Sequence, residues 1–165
     1  MITKQNFLLY IRNFVFGAED SLVSTVGLLA GVTSAGLERS GVIISGIVLI
    51  FVEAFSMGVG SFLSQQTVDE YGKNPKTSSW RSARGGIIMF LSYLIAGFIP
   101  LLPYVLMDLS SAFRFSIVLS LVALFILGIV SAKALHTPIW RNGRRMLLVG
   151  GMAVAIGIIV GLVFK

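Results

Sequence analysis

Long runs of apolar residues, separated by short polar stretches, dominate the chain. A helix that crosses the hydrocarbon core of a bilayer needs about 20 mostly apolar residues. The runs are continuous rather than alternating, which favours helices over the strands of a barrel. The pattern predicts an all-α integral membrane protein with five transmembrane helices, at about residues 14–37, 41–64, 85–107, 114–133 and 145–164.

The polar stretches predict how these helices are connected within a single membrane domain over residues 1–165. Residues 38–40 form a short turn that makes the first two helices an antiparallel hairpin. Residues 65–84 form the longest connection and are predicted to be a loop on the cytoplasmic side. Pro100 and Pro103 are expected to end or kink the third helix, because proline removes a backbone donor.

Basic residues are distributed unevenly between the two ends of the predicted helices. The end that holds the N-terminus carries ten lysines and arginines, and the opposite end carries only Arg39, Arg114 and Lys165. Cytoplasmic loops of membrane proteins carry such an excess. We therefore expect a cytoplasmic N-terminus, a C-terminus outside or in a lumen, and no cleavable signal peptide.

Composition agrees with a membrane protein and excludes several other classes. Hydrophobic residues make up 56% of the chain and charged residues 12%, with a mean hydropathy of +0.92. A soluble domain of this size has too little polar sequence to cover so much apolar surface. The chain has no cysteine, which excludes disulfides and thiolate metal sites. The net charge of +6 comes from residues between apolar runs, so we expect no nucleic-acid partner.

Three acidic residues lie inside predicted helices, and they are the first candidates for function. Glu19 and Asp20 fall in the first helix and Glu53 in the second. A charged side chain near the bilayer centre costs at least ~2.5–3.5 kcal/mol on insertion scales. Intramembrane acids are therefore usually functional, on ion or proton pathways.

Small and polar residues accompany these acids at helical spacing. One stripe comprises Asp20, Ser24, Gly27, Gly31 and Ser34, and the other comprises Gly46, Glu53, Met57, Gly60 and Ser64. Small residues allow close helix packing, a role assigned to Gly27, Gly31 and Gly60. We expect the two stripes to face a common polar space.

That space would combine two kinds of metal ligand. Asp20 and Glu53 offer carboxylates, Ser24 offers a hydroxyl, and Met57 offers a thioether that favours transition metals over Mg²⁺ or Ca²⁺. A carboxyl group in a low-dielectric site can exchange its proton for a cation. We therefore interpret Asp20, Glu53 and Met57 as metal ligands, with Glu19 and Ser24 along the same pathway.

Simpler interpretations of these residues stay open at this point. Glu53 could be a hydrogen-bonding group in helix packing, Glu19 could reach the headgroups, and Met57 could fill space among apolar neighbours. His136 lies in a basic connection and is expected to be solvated. With 18 glycines in the chain, roughly two Gly-x-x-x-Gly pairs arise by chance, so those at 27–31 and 157–161 carry little weight. Because no catalytic motif is present, we do not expect an enzyme.

Several segments resemble the vacuolar iron transporter family. They are FGAEDSLVST (16–25), FSMGVGSFLS (55–64), PLLPY (100–104), LFILG (124–128) and MLLVGG (146–151). The resemblance implies a five-helix homodimer whose ion path lies between subunits and is lined by the first two helices of each. It also implies export of Fe²⁺, sometimes of Mn²⁺ or other divalent metals, in exchange for protons, with no cofactor. Asp20 and Met57 would then be pathway ligands.

The chain departs from the family pattern in three places. Residues 19–21 are Glu-Asp-Ser, where the family usually has Asn-Asp-Gly. The usual second-helix acid falls at Leu49, whereas the acid here is Glu53, one turn later. The connection before the third helix offers only Asp69 and Glu70, so this would be a short form without the family's cytosolic metal-binding domain.

Two other functions fit the same features. An exporter of organic cations would use a membrane carboxylate with nearby aromatic rings such as Phe51, Phe55 and Phe62. A membrane scaffold without transport activity would use its acids only to pair helices. For the transporter we expect the plasma or inner membrane of a prokaryote, or the vacuolar membrane if the source is eukaryotic.

Overall fold

Five long helices account for most of the chain in a computed structural model, which describes residues 4–71 and 75–165. They are α1 (Lys4–Ser34), α2 (Arg39–Tyr71), α3 (Pro75–Leu106), α4 (Leu109–Ala134) and α5 (Ile139–Val163). No strand occurs within those two ranges. Each helix is long and apolar enough to cross a membrane, which confirms the predicted all-α architecture with five spans.

The structure differs from the predicted loop at residues 65–84. Residues 65–71 continue α2 and residues 75–84 belong to α3, while 72–74 lie outside the described residues. Side-chain hydrogen bonds one turn apart support the end of α2, from Gln65 to Asp69 and from Gln66 to Glu70, both at 2.9 Å. Asp69 also accepts a hydrogen bond from Ser82 and lies 4.0 Å from Arg81, which joins α2 to α3. Apolarity predicts where a helix leaves the membrane, but polar residues can continue the helix beyond that point.

Helix α3 runs through both of its prolines and ends at Leu106, so neither proline ends it. Ser116 on α4 donates a hydrogen bond of 2.7 Å to the Pro100 carbonyl oxygen. At the end of α3, Arg39 donates to the carbonyl oxygens of Tyr104 and Val105 at 2.7 and 2.6 Å. These bonds give carbonyl groups of the proline-containing segment partners on α2 and α4.

Helices α1 and α3 lie at the centre of the bundle. Helix α3 packs against α1, α2 and α4, and α1 also packs against α4 and α5. The contact between α1 and α2 is smaller than the contact of either with α3. The short turn was expected to pair α1 with α2. Each of these two helices instead has α3 as its larger neighbour.

Glycines allow α1 and α5 to approach closely. A Cβ atom on Gly157 would collide with the carbonyl oxygen of Gly27, and one on Gly161 would collide with that of Gly31. The two Gly-x-x-x-Gly pairs, at 27–31 and 157–161, thus face each other across the contact between α1 and α5. The glycines of the first predicted stripe pack against α5 rather than α2.

Tight turns connect the helices at both ends of the bundle. Gly36, between α1 and α2, has a φ of +90°, a conformation that glycine adopts without steric cost. His136, between α4 and α5, is exposed and has a φ of 54°. Its exposure agrees with the expectation of a solvated histidine.

Asp108 caps the N-terminus of α4 and gives this turn a predicted pH dependence. Hydrogen bonds from the Ser110 hydroxyl and from the Ser111 backbone N–H lower the pKa of Asp108 from 3.8 to about 2. A carboxyl group whose pKa is lower in the folded state stabilises the fold above its unfolded pKa and loses that effect as pH falls. We therefore expect Asp108→Ala to lower the melting temperature at pH 7. The difference from the wild type should shrink as pH falls from 3.8 towards 2 in thermal unfolding of the purified protein. A difference independent of pH would contradict a role for the charged cap.

Candidate functional site

The structure brings together the two acids that the sequence placed on separate helices. Asp20 on α1 and Glu53 on α2 are both half-buried, and their carboxylates lie within electrostatic range of each other. Within residues 4–71 and 75–165, no hydrogen bond or ion pair reaches either carboxylate. The two predicted stripes thus approach each other at Asp20 and Glu53. The glycines of the first stripe, by contrast, face α5.

Helix α3 also lies beside this acid pair and contributes Tyr93 to its surroundings. The buried Tyr93 hydroxyl lies 2.7 Å from the Ser24 hydroxyl and within electrostatic range of Asp20 and Glu53. Ser21 donates a hydrogen bond of 2.6 Å to the Tyr93 carbonyl oxygen. Ser24 is therefore linked to the region of the acid pair by its hydrogen bond with the Tyr93 hydroxyl.

A glycine on α3 explains how α1 and α2 both approach this level. A Cβ atom on Gly97 would lie 2.7 Å from the Ser21 hydroxyl oxygen and 2.7 Å from Cγ1 of Ile50. Any larger residue would push one of these helices away. Gly97 thus helps to hold the two acid-bearing helices against α3.

Met57 lies one helical turn from Glu53 and lines a groove of about 610 Å³ between α1, α2 and α3. We call this space the methionine groove. Its lining residues are Arg12, Asn13, Phe16, Ser56, Met57, Gly60, Ser61, Ser64 and Met89. Gly60 belongs to this lining, and no described residue comes within 4 Å of a Cβ atom built on it. Its predicted role in helix packing therefore finds no partner in the described part of this chain.

A buried amide fixes one wall of the methionine groove. Asn13 is 1% exposed and donates a hydrogen bond of 2.9 Å to the Ser61 hydroxyl. A Cβ atom on Gly85 would lie 2.8 Å from the same amide nitrogen, so α3 also approaches here. All three helices that surround the acid pair are thus held together at this level as well.

Glu19 has different surroundings from its neighbour Asp20. Its carboxylate is half-buried and lies within electrostatic range of the Arg145 guanidinium on α5. The nearby Asp20 carboxylate is a weaker influence on Glu19. Glu19 therefore has a basic neighbour on α5, whereas the charged neighbour of Asp20 is the Glu53 carboxylate on α2.

Asp20 and Glu53 form a pair rather than a complete cage of protein ligands. Among the described residues, no three His, Cys, Asp or Glu side chains are grouped as they would be in a metal cage. Two further ligand types in this region are uncharged: the Ser24 hydroxyl beside Tyr93, and the thioether of Met57 one turn along α2. This set suits a cation that is held and released more than one that is bound permanently.

Comparison with known protein families gives one match that covers nearly the whole chain. The model described as the VIT family matches residues 11–82 and 66–162. The chain belongs to the VIT family. With its five apolar helices it is a multi-pass membrane protein.

Relatives in this family are named as transporters. A vacuolar iron transporter of Centaurea cyanus is 25% identical over 210 residues, covering 88% of this chain and 84% of the relative. Vacuolar iron transporter 1 of Arabidopsis thaliana is 23% identical, covering 88% and 82%. Vacuolar iron transporter homolog 5 of Oryza sativa subsp. japonica is 29% identical over 166 residues, covering 93% and 78%. These names agree with the expectation that the chain is not an enzyme.

Two of these alignments show how members of the VIT family differ in length. The alignment with the Centaurea protein is longer than this chain, so that relative contains insertions that the chain lacks. The alignment with the rice protein is close to the chain's own length. This difference agrees with the short form predicted from the sequence.

Residues on α3 were not identified as site residues from the sequence, although a pattern exists that could have revealed them. Small, polar or thioether residues recur every three or four positions along α3. They are Ser82, Gly85, Met89, Tyr93 and Gly97. This stripe carries no charge. The cost of placing a charge in the membrane, which identified the acids, therefore does not apply to it.

Proposed function

We propose that this VIT family member is a proton-coupled exporter of a divalent transition metal, most suitably Fe²⁺ and also Mn²⁺. The observation that carries the proposal is the pair of carboxylates, Asp20 and Glu53, within electrostatic range of each other inside membrane-spanning helices. Two like charges in a low-dielectric medium repel each other, and each also loses hydration. A cation or protons bound there relieve both effects.

This electrostatic arrangement accounts for exchange as well as binding. When a divalent cation occupies the pair, both carboxylates are neutralised by metal. When the metal leaves, protons from the opposite side can neutralise them instead. The same two side chains therefore alternate between metal and protons, which is what an antiporter requires.

The choice of metal rests on Met57 and on the relatives. A thioether favours transition metals over Mg²⁺ and Ca²⁺. Several relatives are named as iron transporters. The thioether thus favours a transition metal, the names of the relatives favour Fe²⁺, and the carboxylates also suit Mn²⁺.

The assembly and orientation belong to the same proposal. The 1–165 chain forms one five-helix membrane domain and works as a homodimer, in which a second copy adds ligands to the two-carboxylate set. The uneven distribution of basic residues favours a cytoplasmic N-terminus. The direction of transport, out of the cytosol, follows from the resemblance to the family. The host membrane is the plasma or inner membrane, or the vacuolar membrane if the source is eukaryotic.

Transport by the purified protein in liposomes tests the function. With Fe²⁺ outside and an acidic interior, we expect metal uptake that is faster than without the gradient, together with a rise of internal pH. Metal uptake with no proton movement would contradict the antiport. Uptake of a quaternary ammonium ion that Mn²⁺ does not inhibit would favour the organic-cation exporter. Movement of neither substrate would favour the scaffold.

The cysteine-free sequence allows a clean test of orientation. Lys165→Cys and Lys133→Cys each introduce a single thiol at an exposed position, at opposite ends of the bundle. In intact cells, an impermeant maleimide should label Lys165→Cys and should label Lys133→Cys only after permeabilisation. The reverse pattern would contradict the predicted cytoplasmic N-terminus.

A further inference from the structure

The methionine groove contains a second thioether, that of Met89 on α3. The mechanism proposed for the acid pair assigns no role to it. Met57 and Met89 line the same groove from different helices. Met89 is only 4% exposed, although the groove that it lines also contains polar residues such as Asn13, Ser61 and Ser64. Its sulfur lies 3.0 Å from the place a Cβ atom would occupy on Gly17, so this glycine leaves room for it beside α1.

The groove is aligned with the acid pair along all three helices. Met57 lies one turn from Glu53 on α2, and Met89 lies one turn from Tyr93 on α3. Asn13 lies two turns before Asp20 on α1. A cation that moves along this interface from the N-terminal end of α1 therefore passes the thioethers before it reaches the carboxylates.

We propose that Met89 is a second thioether ligand of the transport path, which acts with Met57 to bind soft cations in the methionine groove. This inference rests on the proposed function and names how that transporter selects its metal. Thioethers bind soft ions such as Cu(I) more strongly than hard ions such as Mg²⁺ or Mn²⁺. The site therefore enriches softer ions ahead of the carboxylate pair, which binds divalent ions with less discrimination.

Charge in the groove supports selection by softness rather than by charge. The lining residues include no carboxylate, and their one charged side chain is the Arg12 guanidinium. Arg12 repels every cation, so attraction in the groove must come from ligand contacts. Ions that gain little from thioethers have little reason to stay there.

The competing explanation is that Met89 only fills space between α1 and α3. Methionine often fills irregular gaps in cores. A space-filling role would tolerate leucine, since Met and Leu have similar volumes and exchange at small cost. A ligand role would not tolerate leucine, because leucine has no donor atom.

Binding of Ag⁺ to the purified full-length protein separates these explanations. Ag⁺ is a soft probe, and because the chain has no cysteine, thioethers are the softest ligands that it offers. We expect Met89→Leu to weaken Ag⁺ binding by at least ~10-fold in a calorimetric titration, the scale on which loss of a metal-site group acts. Met146→Leu, which alters a buried methionine in the core, should change it by less than about 2-fold. Wild-type binding by Met89→Leu would overturn the proposal.

Transport selectivity gives a second, independent measurement. In liposomes, Met89→Leu should lower the ratio of Fe²⁺ to Mn²⁺ uptake by ~3-fold or more, and Met146→Leu should leave it unchanged. An unchanged ratio in Met89→Leu would also overturn the proposal. If wild-type protein moved no metal, the proposed function would fail, and the Ag⁺ titration would still decide the groove. If Met89→Leu does not fold, Met89→Ile, which also lacks a donor atom, takes its place in the same titration.

Discussion

Replacement of both membrane carboxylates, Asp20→Asn together with Glu53→Gln, is expected to reduce proton-driven metal uptake by ~100-fold or more. The amides keep the size of the side chains but cannot carry the negative charge that a cation and protons share. Each single variant should be impaired less, because one carboxylate of the pair remains. The initial rate of Fe²⁺ uptake into liposomes with an acidic interior measures this effect.

A matched control for the double variant is Glu38→Gln. Glu38 is exposed in the turn between α1 and α2, outside the bundle interior. The same chemical change at this position should leave the uptake rate within about 2-fold of the wild type, as is usual for an exposed site. Uptake by Asp20→Asn/Glu53→Gln at the wild-type rate would contradict the role assigned to both acids.

The second large effect is expected from the contact between α1 and α5. Gly157→Ala together with Gly161→Ala places methyl groups where the carbonyl oxygens of Gly27 and Gly31 now lie. Because these obstacles are backbone atoms, the helices must separate. We expect the free energy of unfolding to fall by about 2–4 kcal/mol and the melting temperature by about 5–10 °C. Thermal unfolding in detergent measures this change.

Gly151→Ala provides the control on the same helix. Apart from the backbone of its own helix, no described residue lies within 4 Å of a Cβ atom built on Gly151. This variant gains helix propensity without a collision, so its melting temperature should be equal to or higher than that of the wild type. If Gly151→Ala lost as much stability as Gly157→Ala/Gly161→Ala, the loss could not be assigned to a collision between α5 and α1.

The number of membrane helices could be predicted from the sequence because hydropathy acts locally. A run of about 20 apolar residues is favoured in the bilayer whatever its neighbours are. The ends of the helices were harder to predict, and residues 65–84, expected to be a loop, are an example. Beyond the membrane, hydrogen bonds such as that between Gln65 and Asp69 decide whether a helix continues, and hydropathy does not contain that information.

The meeting of the acids could also be anticipated, because an acid in oil has a cost that the sequence displays. Asp20 and Glu53 needed an interior position, and the short turn placed their helices side by side. The contribution of α3 could not be found in this way. Met89 and Tyr93 are cheap to bury, so their place in the site depends on which helices pack together.

The packing of α1 against α5 illustrates the same limit. Gly27 and Gly31 shared a stripe with Asp20, yet in the structure they contact Gly157 and Gly161. A stripe on a helix is broad enough to face two neighbours, and spacing along one helix does not choose between them. That choice is made by the complementary shape of the partner, which lies more than a hundred residues away.

In the proposed transport cycle, the acids inside the membrane are neutralised in turn by metal and by protons. Crystals soaked in Mn²⁺ or Fe²⁺ test it most directly, through anomalous scattering at the absorption edge of each metal. We expect a peak within ligand distance of the Asp20 and Glu53 carboxylates, which is lost on soaking in metal-free buffer at low pH. Carboxylates bonded to neighbouring backbone or side chains at every pH, with no metal beside them, would contradict it.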